Sequence, residues 1–295
     1  VTAPRPRLFL IDGSSYIFRA FFGTPPLDHS AGLPTHAVFG FLNLLLNLLK
    51  HYQPEYAAVA FDAGRETFRH QLFSAYKRNR PERPPALTAQ IPYLRRLLDG
   101  LNLPLLELPG YEADDLIATL CETMARRDCD LVIVSSDKDF MQLVSRRIQL
   151  FDSARNRWID TVDVHTRFGV SPDRVTQVMG LMGDSVDNIP GVRGVGAKTA
   201  VALIQQFDTL ENLYYRLDEV PILSLRGAPR LRQILEDGRE SAFLSRDLAT
   251  VRRNAPLAIS LEDLKRSDFH MEKLRGLFAE LEFTSLVTLL DHGRL

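Results

Sequence analysis

Short apolar runs that end in aspartate constrain this chain more than any other feature. Residues 7–12 read Arg-Leu-Phe-Leu-Ile-Asp and are closed by Gly13-Ser14-Ser15. Residues 56–61 lead into Asp62, and residues 131–134 lead into Ser135-Ser136-Asp137. Runs so short and so uniformly apolar suit strands covered on both faces of a parallel sheet. A third strand is expected at 103–108, and a hairpin at 148–151 and 158–161 around Ala154-Arg155-Asn156. Helical patterns lie between the strands, at 35–51 through Phe39, Leu42, Leu45, Leu46 and Leu49, and from Tyr111 through Leu116, Ile117, Leu120 and Met124. After about Ser171 only helical patterns remain. The chain is therefore expected to fold as an α/β domain with a mostly parallel, doubly wound sheet over 1–170. An α-helical part is expected over 171–295.

In open sheets of this kind ligands gather beyond the carboxyl ends of the strands. Asp12, Asp62 and Asp137 stand there, and three further groups join them: Glu112, Asp114 and Asp115; Asp139; and Asp184 and Asp187. Each group has an ordinary explanation. Acidic residues favour the first turn of a helix, which suits Glu112, Asp114 and Asp115. Asp137 with Asp139 reads equally as a polar loop, and Asp184 with Asp187 as a capped turn. Together they would repel one another unless a cation lay between them. Hard divalent cations with oxygen ligands fit, and the lack of accompanying His or Cys favours Mg²⁺ or Mn²⁺ over zinc. Paired cations of this type are standard machinery for phosphodiester hydrolysis.

The formal net charge of −1 over 295 residues conceals a segregation. Between 65 and 96 the chain carries Arg65, Arg69, Lys77, Arg78, Arg80, Arg83, Arg95 and Arg96 against Glu66 and Glu82. A second stretch holds Arg226, Arg230, Arg232, Arg239, Arg246, Arg252 and Arg253, diluted by Glu236, Asp237, Glu240 and Asp247. Local basic surface, rather than total charge, neutralises phosphates. Gly191-Val-Arg-Gly194-Val-Gly196-Ala-Lys198 precedes a helix and offers close backbone approach with free N–H donors. It is neither a P-loop nor a dinucleotide fingerprint, because Ala197 parts Gly196 from Lys198 and Thr199 holds the third glycine position. What remains is a hairpin turn that holds a nucleic-acid backbone without reading bases. The longest apolar run, 37–49, is broken by Gly40, Asn43 and Asn47 and is no membrane span. Two cysteines and no secretory h-region lead to the expectation of reduced thiols in the cytoplasm, near the nucleoid if nucleic acid is the substrate.

Leu-Met-Gly-Asp184-Ser-Val-Asp187-Asn-Ile-Pro-Gly-Val-Arg-Gly-Val-Gly-Ala-Lys198 closely resembles the helix–three-turn–helix segment of the bacterial 5′-nucleases. That family includes the 5′→3′ exonuclease domain of DNA polymerase I, free-standing relatives and flap endonucleases. Ile11-Asp12-Gly-Ser-Ser, Gly110-Tyr-Glu112-Ala-Asp114-Asp115 and Ser-Ser-Asp137-Lys-Asp139 resemble three more of its motifs. The resemblance implies a PIN/5′-nuclease-like sheet with a helical arch at about 65–100. It assigns Asp12, Asp62, Glu112, Asp114 and Asp115 to a first metal and Asp137, Asp139, Asp184 and Asp187 to a second. It implies that Lys77 and Arg80 steer the scissile phosphate, that Tyr76 stacks on a base, and that Arg19, Arg78, Gly191, Gly194, Gly196 and Lys198 contact DNA. A monovalent cation at the helix–three-turn–helix turn is a further expectation. Ser136 stands where many polymerase-linked members have glycine.

The expected substrate is DNA with a 5′ flap, a nick or a free 5′ end, RNA–DNA primer junctions included, cut by a monomer in replication and repair. Two other readings remain at this point: a DNA-structure-binding module without catalysis, and a PIN-type ribonuclease, though such ribonucleases are usually shorter and lack the glycine turn. Leu281-Glu-Phe-Thr-Ser-Leu resembles the place where polymerase-linked members pass into a linker. The length favours a free-standing nuclease, and a domain coupled to a DNA polymerase is the alternative.

Overall fold

The computed structural model describes residues 5–225, 227–293 and 295; Arg226 of the second basic stretch lies outside the described residues. The strands and α-helices begin with β1 (Arg7–Asp12), α1 (Gly13–Gly23), α2 (His36–Tyr52), β2 (Tyr56–Ala60) and α3 (Phe68–Leu72). They continue with α4 (Pro85–Thr88), α5 (Ile91–Gly100), β3 (Leu105–Leu106), α6 (Ala113–Ala125) and β4 (Asp130–Val134). Next come β5 (Ile148–Asp152), β6 (Arg157–Ile159), α7 (Thr161–Phe168), α8 (Val175–Met182), α9 (Ala197–Phe207) and α10 (Leu210–Tyr215). The last are α11 (Ala228–Asp237), α12 (Arg239–Ala249), α13 (Met271–Glu280) and α14 (Thr284–Asp291).

The chain packs as two compact units. The first comprises Val1–Ala63, Glu82–Ser136 and Arg253–Leu295, and the second Gly64–Pro81 and Asp137–Arg252. Packing thus does not coincide with a linear division near residue 170. One reason is that the C-terminal helices return to the first unit, where α13 lies so close to α5 that a Cβ on Gly100 would stand 2.6 Å from Leu274.

In the first unit the strands run parallel in the order β3-β2-β1-β4. The chain moves outward from β1 to β3 and then returns to β4 on the other side, so the switch point lies between β1 and β4. Beyond Arg7, β1 is buried throughout, as is all of β2, which is why both read as unbroken apolar runs. Helix α1 follows β1 without a loop. Asp12 caps it by accepting from Ser15 N at 3.0 Å, and Gly13 lets it press on the sheet, since a Cβ there would meet Val59 at 2.7 Å. The third strand is shorter than the expected 103–108: only Leu105–Leu106 pairs, flanked by Pro104 and Pro109, which have no N–H to give a ladder.

The basic stretch expected as a helical arch at about 65–100 is not one element. Helix α3 is short, residues 73–84 form turns and extended chain, and α5 belongs to the first unit. There Arg95 pairs with Glu107 at 2.9 Å and Arg96 with Glu280 at 2.6 Å. Three prolines, Pro81, Pro84 and Pro85, interrupt the helical pattern in between.

The second unit joins the antiparallel hairpin β5–β6 to the helices α7–α12. Its helical core includes Met179, Leu203, Ile204, Phe207, Leu235 and Leu248, all buried. Each contributes roughly 1.5–3 kcal/mol of transfer free energy. Arg69 on α3 is also buried, at 1% exposure. Its Nε donates to the Leu248 carbonyl at 2.9 Å and a terminal nitrogen donates to the Thr250 carbonyl at 3.1 Å, while its guanidinium lies 4.6 Å from the Phe68 ring centroid. A cation at the carbonyl end of α12 is favoured by the helix dipole. Replacing Arg69 by Met is expected to leave these buried carbonyls short of donors, at about 1–3 kcal/mol each. Urea unfolding would measure the loss, and Arg69→Lys would not restore it, because an ammonium lacks the planar fork that reaches both oxygens.

Candidate active site and phosphate-binding turn

In the first unit the expected carboxylates lie at the carboxyl edge of the sheet and at the start of α6. Asp12, at the switch point, accepts from Ser135 Oγ just beyond β4 at 2.7 Å. Asp62, just beyond β2, accepts from Ser14 Oγ at 2.9 Å and from Ala113 N, the first residue of α6, at 2.8 Å. Glu112 and Asp115 cap α6 reciprocally, with Glu112 N donating to Asp115 at 3.1 Å. The ordinary helix-start explanation therefore holds for that pair in part. Yet Asp115 has no solvent exposure at all, and Glu112 and Asp12 are buried, which a surface cap does not require. The sheet edge gathers acid where burial disfavours it.

The second unit holds the other four. Asp137 caps the 3₁₀ turn Lys138–Leu143 by accepting from Asp139 N at 2.9 Å. Asp184 and Asp187, both buried, stand on a loop closed by reciprocal hydrogen bonds between Asp184 and Ile189 at 2.9 and 2.7 Å. Burial first, and the charges of Asp137 and Asp187 with it, push Asp139 well above the usual carboxylate range against the pull of Lys138. Burial works the same way on Asp184, but bonds from Lys138 and from Val186 N outweigh it and hold that group low. Lys138 Nζ lies 3.0 Å from Asp139 and 2.5 Å from Asp184. Lys77 Nζ lies 3.8 Å from Asp187, to which Arg80 is also paired. Among the described residues no three His, Cys, Asp or Glu side chains are drawn together closely enough to ligate one ion as they stand. Still, the donors are all oxygen, and a carboxylate raised by two like charges is a group that a cation relieves.

The segment around Lys77 is clipped to the loop that carries Asp184 and Asp187. Lys77 N donates to Asp187 O at 2.9 Å, Asn79 Nδ2 to Ser185 O at 2.7 Å, and Asn188 Nδ2 to Ala75 O at 2.6 Å. Lys77 itself sits at φ +53°, a left-handed conformation unusual for a side chain of its size. Tyr76 is buried at 3% exposure, edge-on to His70 and with its hydroxyl toward Asp187, so stacking on a base would require it to leave that packing. Arg78 is exposed, and Arg19 lies half-buried on α1.

The glycines of the turn divide into two kinds. Gly183 (φ +70°) and Gly191 (φ +61°) abut, and a Cβ on Gly191 would stand 2.4 Å from Gly183 N. Gly191 is further pinned by α12: its N–H donates to Ser245 Oγ at 2.8 Å, and Ser241 Oγ donates to its carbonyl at 2.6 Å. Those serines carry no motif and were missed; only their distance of about one helical turn hinted at a shared face. Gly196, by contrast, faces open space at φ −89°, and a Cβ on Gly194 would meet nothing nearer than Ile234 at 3.8 Å. Arg193, Gly194, Gly196 and Lys198 are exposed beside the start of α9. Nothing internal demands glycine at 196, whereas an approaching phosphate would.

A parallel sheet edged with carboxylates and a helical unit with an exposed glycine turn are the two parts expected of a resolvase-like domain followed by a helical domain. The model of the 5′-3′ exonuclease N-terminal resolvase-like domain matches residues 7–169, and that of the 5′-3′ exonuclease C-terminal SAM fold matches residues 170–272. The chain belongs to the 5′-3′ exonuclease family. It is 46% identical over 277 residues to DNA polymerase I of Pseudomonas aeruginosa, covering 94% of this chain and 30% of that protein. It is 37% identical over 284 residues to the 5′-3′ exonuclease of Aquifex aeolicus, covering 96% of this chain and 95% of that one. The chain spans about a third of the length of the DNA polymerase I relatives it matches. Among solved structures it is similar in fold to the T5 D15 protein co-crystallized with metal ions (TM-score 0.68, 22% identity, 96% of this chain and 99% of that one). The catalytic core of Rad2 in complex with DNA substrate also shares the fold (TM-score 0.61, 16% identity, 97% and 91%).

The two kinds of glycine should respond differently to a methyl group. Gly191→Ala is expected to cost more than about 1–3 kcal/mol, the backbone strain alone, because it adds a clash with Gly183. Gly196→Ala should stay within about 1 kcal/mol of wild type, the range of a helix-cap change. Equilibrium unfolding of both variants checks this.

Proposed function

We propose that this nuclease hydrolyses DNA near a free 5′ end, as a divalent-metal-dependent 5′→3′ exonuclease and 5′-flap endonuclease. The observation that carries the reading is Asp12 at the switch point of a parallel sheet, with Asp62, Glu112, Asp114 and Asp115 at the adjoining strand end and helix start. Those five would hold one divalent ion, Mg²⁺ or Mn²⁺ by their all-oxygen chemistry. Asp137, Asp139, Asp184 and Asp187 would hold another. When bound, such ions acidify water and offset the charge that grows on the phosphate oxygens.

The chain's own residues supply the rest. Lys77 and Arg80, already paired with Asp187, bring positive charge to the scissile phosphate. The N–H groups at the start of α9, with Lys198 beside them, grip a duplex backbone through the space at Gly194 and Gly196. A monovalent cation at that turn belongs to the same proposal. Substrates of this geometry are 5′ flaps, nicks and RNA–DNA primer junctions, handled by a monomer in replication and repair, and coupled to a polymerase where the chain is part of a longer protein. Cytoplasmic placement accords with the free, buried thiols Cys121 and Cys129.

Asp115→Asn and Asp139→Asn are each expected to abolish cleavage of a 5′-flap substrate while leaving the flap bound, and EDTA should do the same to wild type. Full activity in either variant, or in excess EDTA, sinks the metal reading; wild-type binding without cleavage in Mg²⁺ leaves a binding module. Lys77→Ala should slow single-turnover cleavage by about 10²–10³ and affect binding less. Lys198→Ala should instead weaken binding and lower the salt slope by about one. A cleavage ladder on flap against nicked duplex sets the balance of the two activities.

A further inference from the structure

Lys138 sits in sequence between two of the carboxylates assigned to one cation, and its ammonium sits in space between two of them. Nζ is 3.0 Å from Asp139 Oδ1 and 2.5 Å from Asp184 Oδ2. The other oxygen of Asp184 accepts from Val186 N at 2.8 Å, so both oxygens of that buried group have a protein donor. A divalent ion bound to Asp184 and Asp139 would stand within a few ångströms of the ammonium. At that separation repulsion between the two cations is large even with generous screening. The backbone of Lys138 cannot withdraw, because it lies within the 3₁₀ turn that positions Asp137 and Asp139. Its four-carbon stem can, and the side chain is already a quarter exposed.

We infer that Lys138 is a tethered counter-ion that competes with the divalent cation for Asp139 and Asp184, and thereby sets a weak affinity at the second carboxylate set. The inference rests on the proposal that those carboxylates bind a cation. Lys138 is a positioning residue here: it acts on the ligands, not on the substrate. Binding of the ion requires the ammonium to swing out, so occupancy of this set responds to cation concentration where a fully anionic cluster would saturate. The like-charge strain of Asp137, Asp139 and Asp187 remains compensated in the meantime.

The test is Mn²⁺ binding by the full 295-residue chain, followed by electron paramagnetic resonance without DNA, in wild type, Lys138→Met, Lys138→Gln, Lys138→Arg and Asp184→Asn. Wild type should show a tighter and a weaker class of sites, and Asp184→Asn should lose the weaker. Both neutral variants should tighten the weaker class about ten-fold or more, while Lys138→Arg, which keeps the charge, stays near wild type. Gln keeps a hydrogen-bond donor, so agreement between Met and Gln assigns the effect to charge. A weaker class that is unchanged or loosened in both neutral variants, yet lost in Asp184→Asn, overturns the inference alone. A wild type that binds no Mn²⁺, or an Asp184→Asn protein that keeps both classes, overturns the cation assignment and the inference with it.

Discussion

Carboxylates taken out of water must be met by donors or by opposite charge, and leaving one buried charge uncompensated costs several kcal/mol. That constraint shapes both units. In the first, hydroxyls and helix-start N–H groups face the acids: Ser135 and Ser15 N on Asp12, Ser14 and Ala113 N on Asp62, and Glu112 N on Asp115. In the second, side-chain cations take part, with Lys138 across Asp139 and Asp184 and with Lys77 and Arg80 on Asp187. A neutral dipole need not leave when a metal arrives, whereas an ammonium is repelled by it.

Much of this was legible because the relevant signals are local. β1 and β2 are buried along their length and so read as unbroken apolar runs, and their ends fall within a residue of expectation. The positions of the first unit's acids follow for the same reason, since Asp12 and Asp62 stand at strand ends and Glu112, Asp114 and Asp115 open α6, whereas Asp184 and Asp187 stand on a loop. Helix α1 escaped notice because Gly13-Ser14-Ser15 looks like a stop, although Asp12 is a good cap for a helix starting there. Long-range partners were not legible at all. Arg69 reads in the sequence as one member of a basic stretch suited to phosphates, yet it is buried and donates to carbonyls 179 and 181 residues away. Tyr76 is similar: a tyrosine beside Lys77 and Arg78 suggests a stacking surface, and nothing local announces that its ring packs on His70 in this structure. Nothing in a local window distinguishes an aromatic that faces a ligand from one that faces the core.

The glycine turn shows how the structure separates two uses of one residue type that the sequence presents as one motif. Gly183 and Gly191 are demanded from inside, by positive φ and by an approach that leaves no room for a methyl group. Ser241 and Ser245 then lock Gly191 to α12, so this half of the motif is a rigid fixture of the helical core. Gly194 needs its positive φ but little of its space, and Gly196 needs neither. Open space above an exposed helix start, next to Lys198, is what a backbone phosphate requires. The same core that fixes Gly191 also carries the Asp184–Ile189 loop, since Val192 N bonds to Leu181 O at 2.7 Å and Gly183 N to Met179 O at 2.8 Å. The turn proposed to hold the duplex and the loop proposed to hold a cation are therefore two ends of one short, internally bonded segment. A displacement of α8 would move both together, so the spacing from that turn to Asp184 and Asp187 is fixed by backbone hydrogen bonds rather than by a flexible linker.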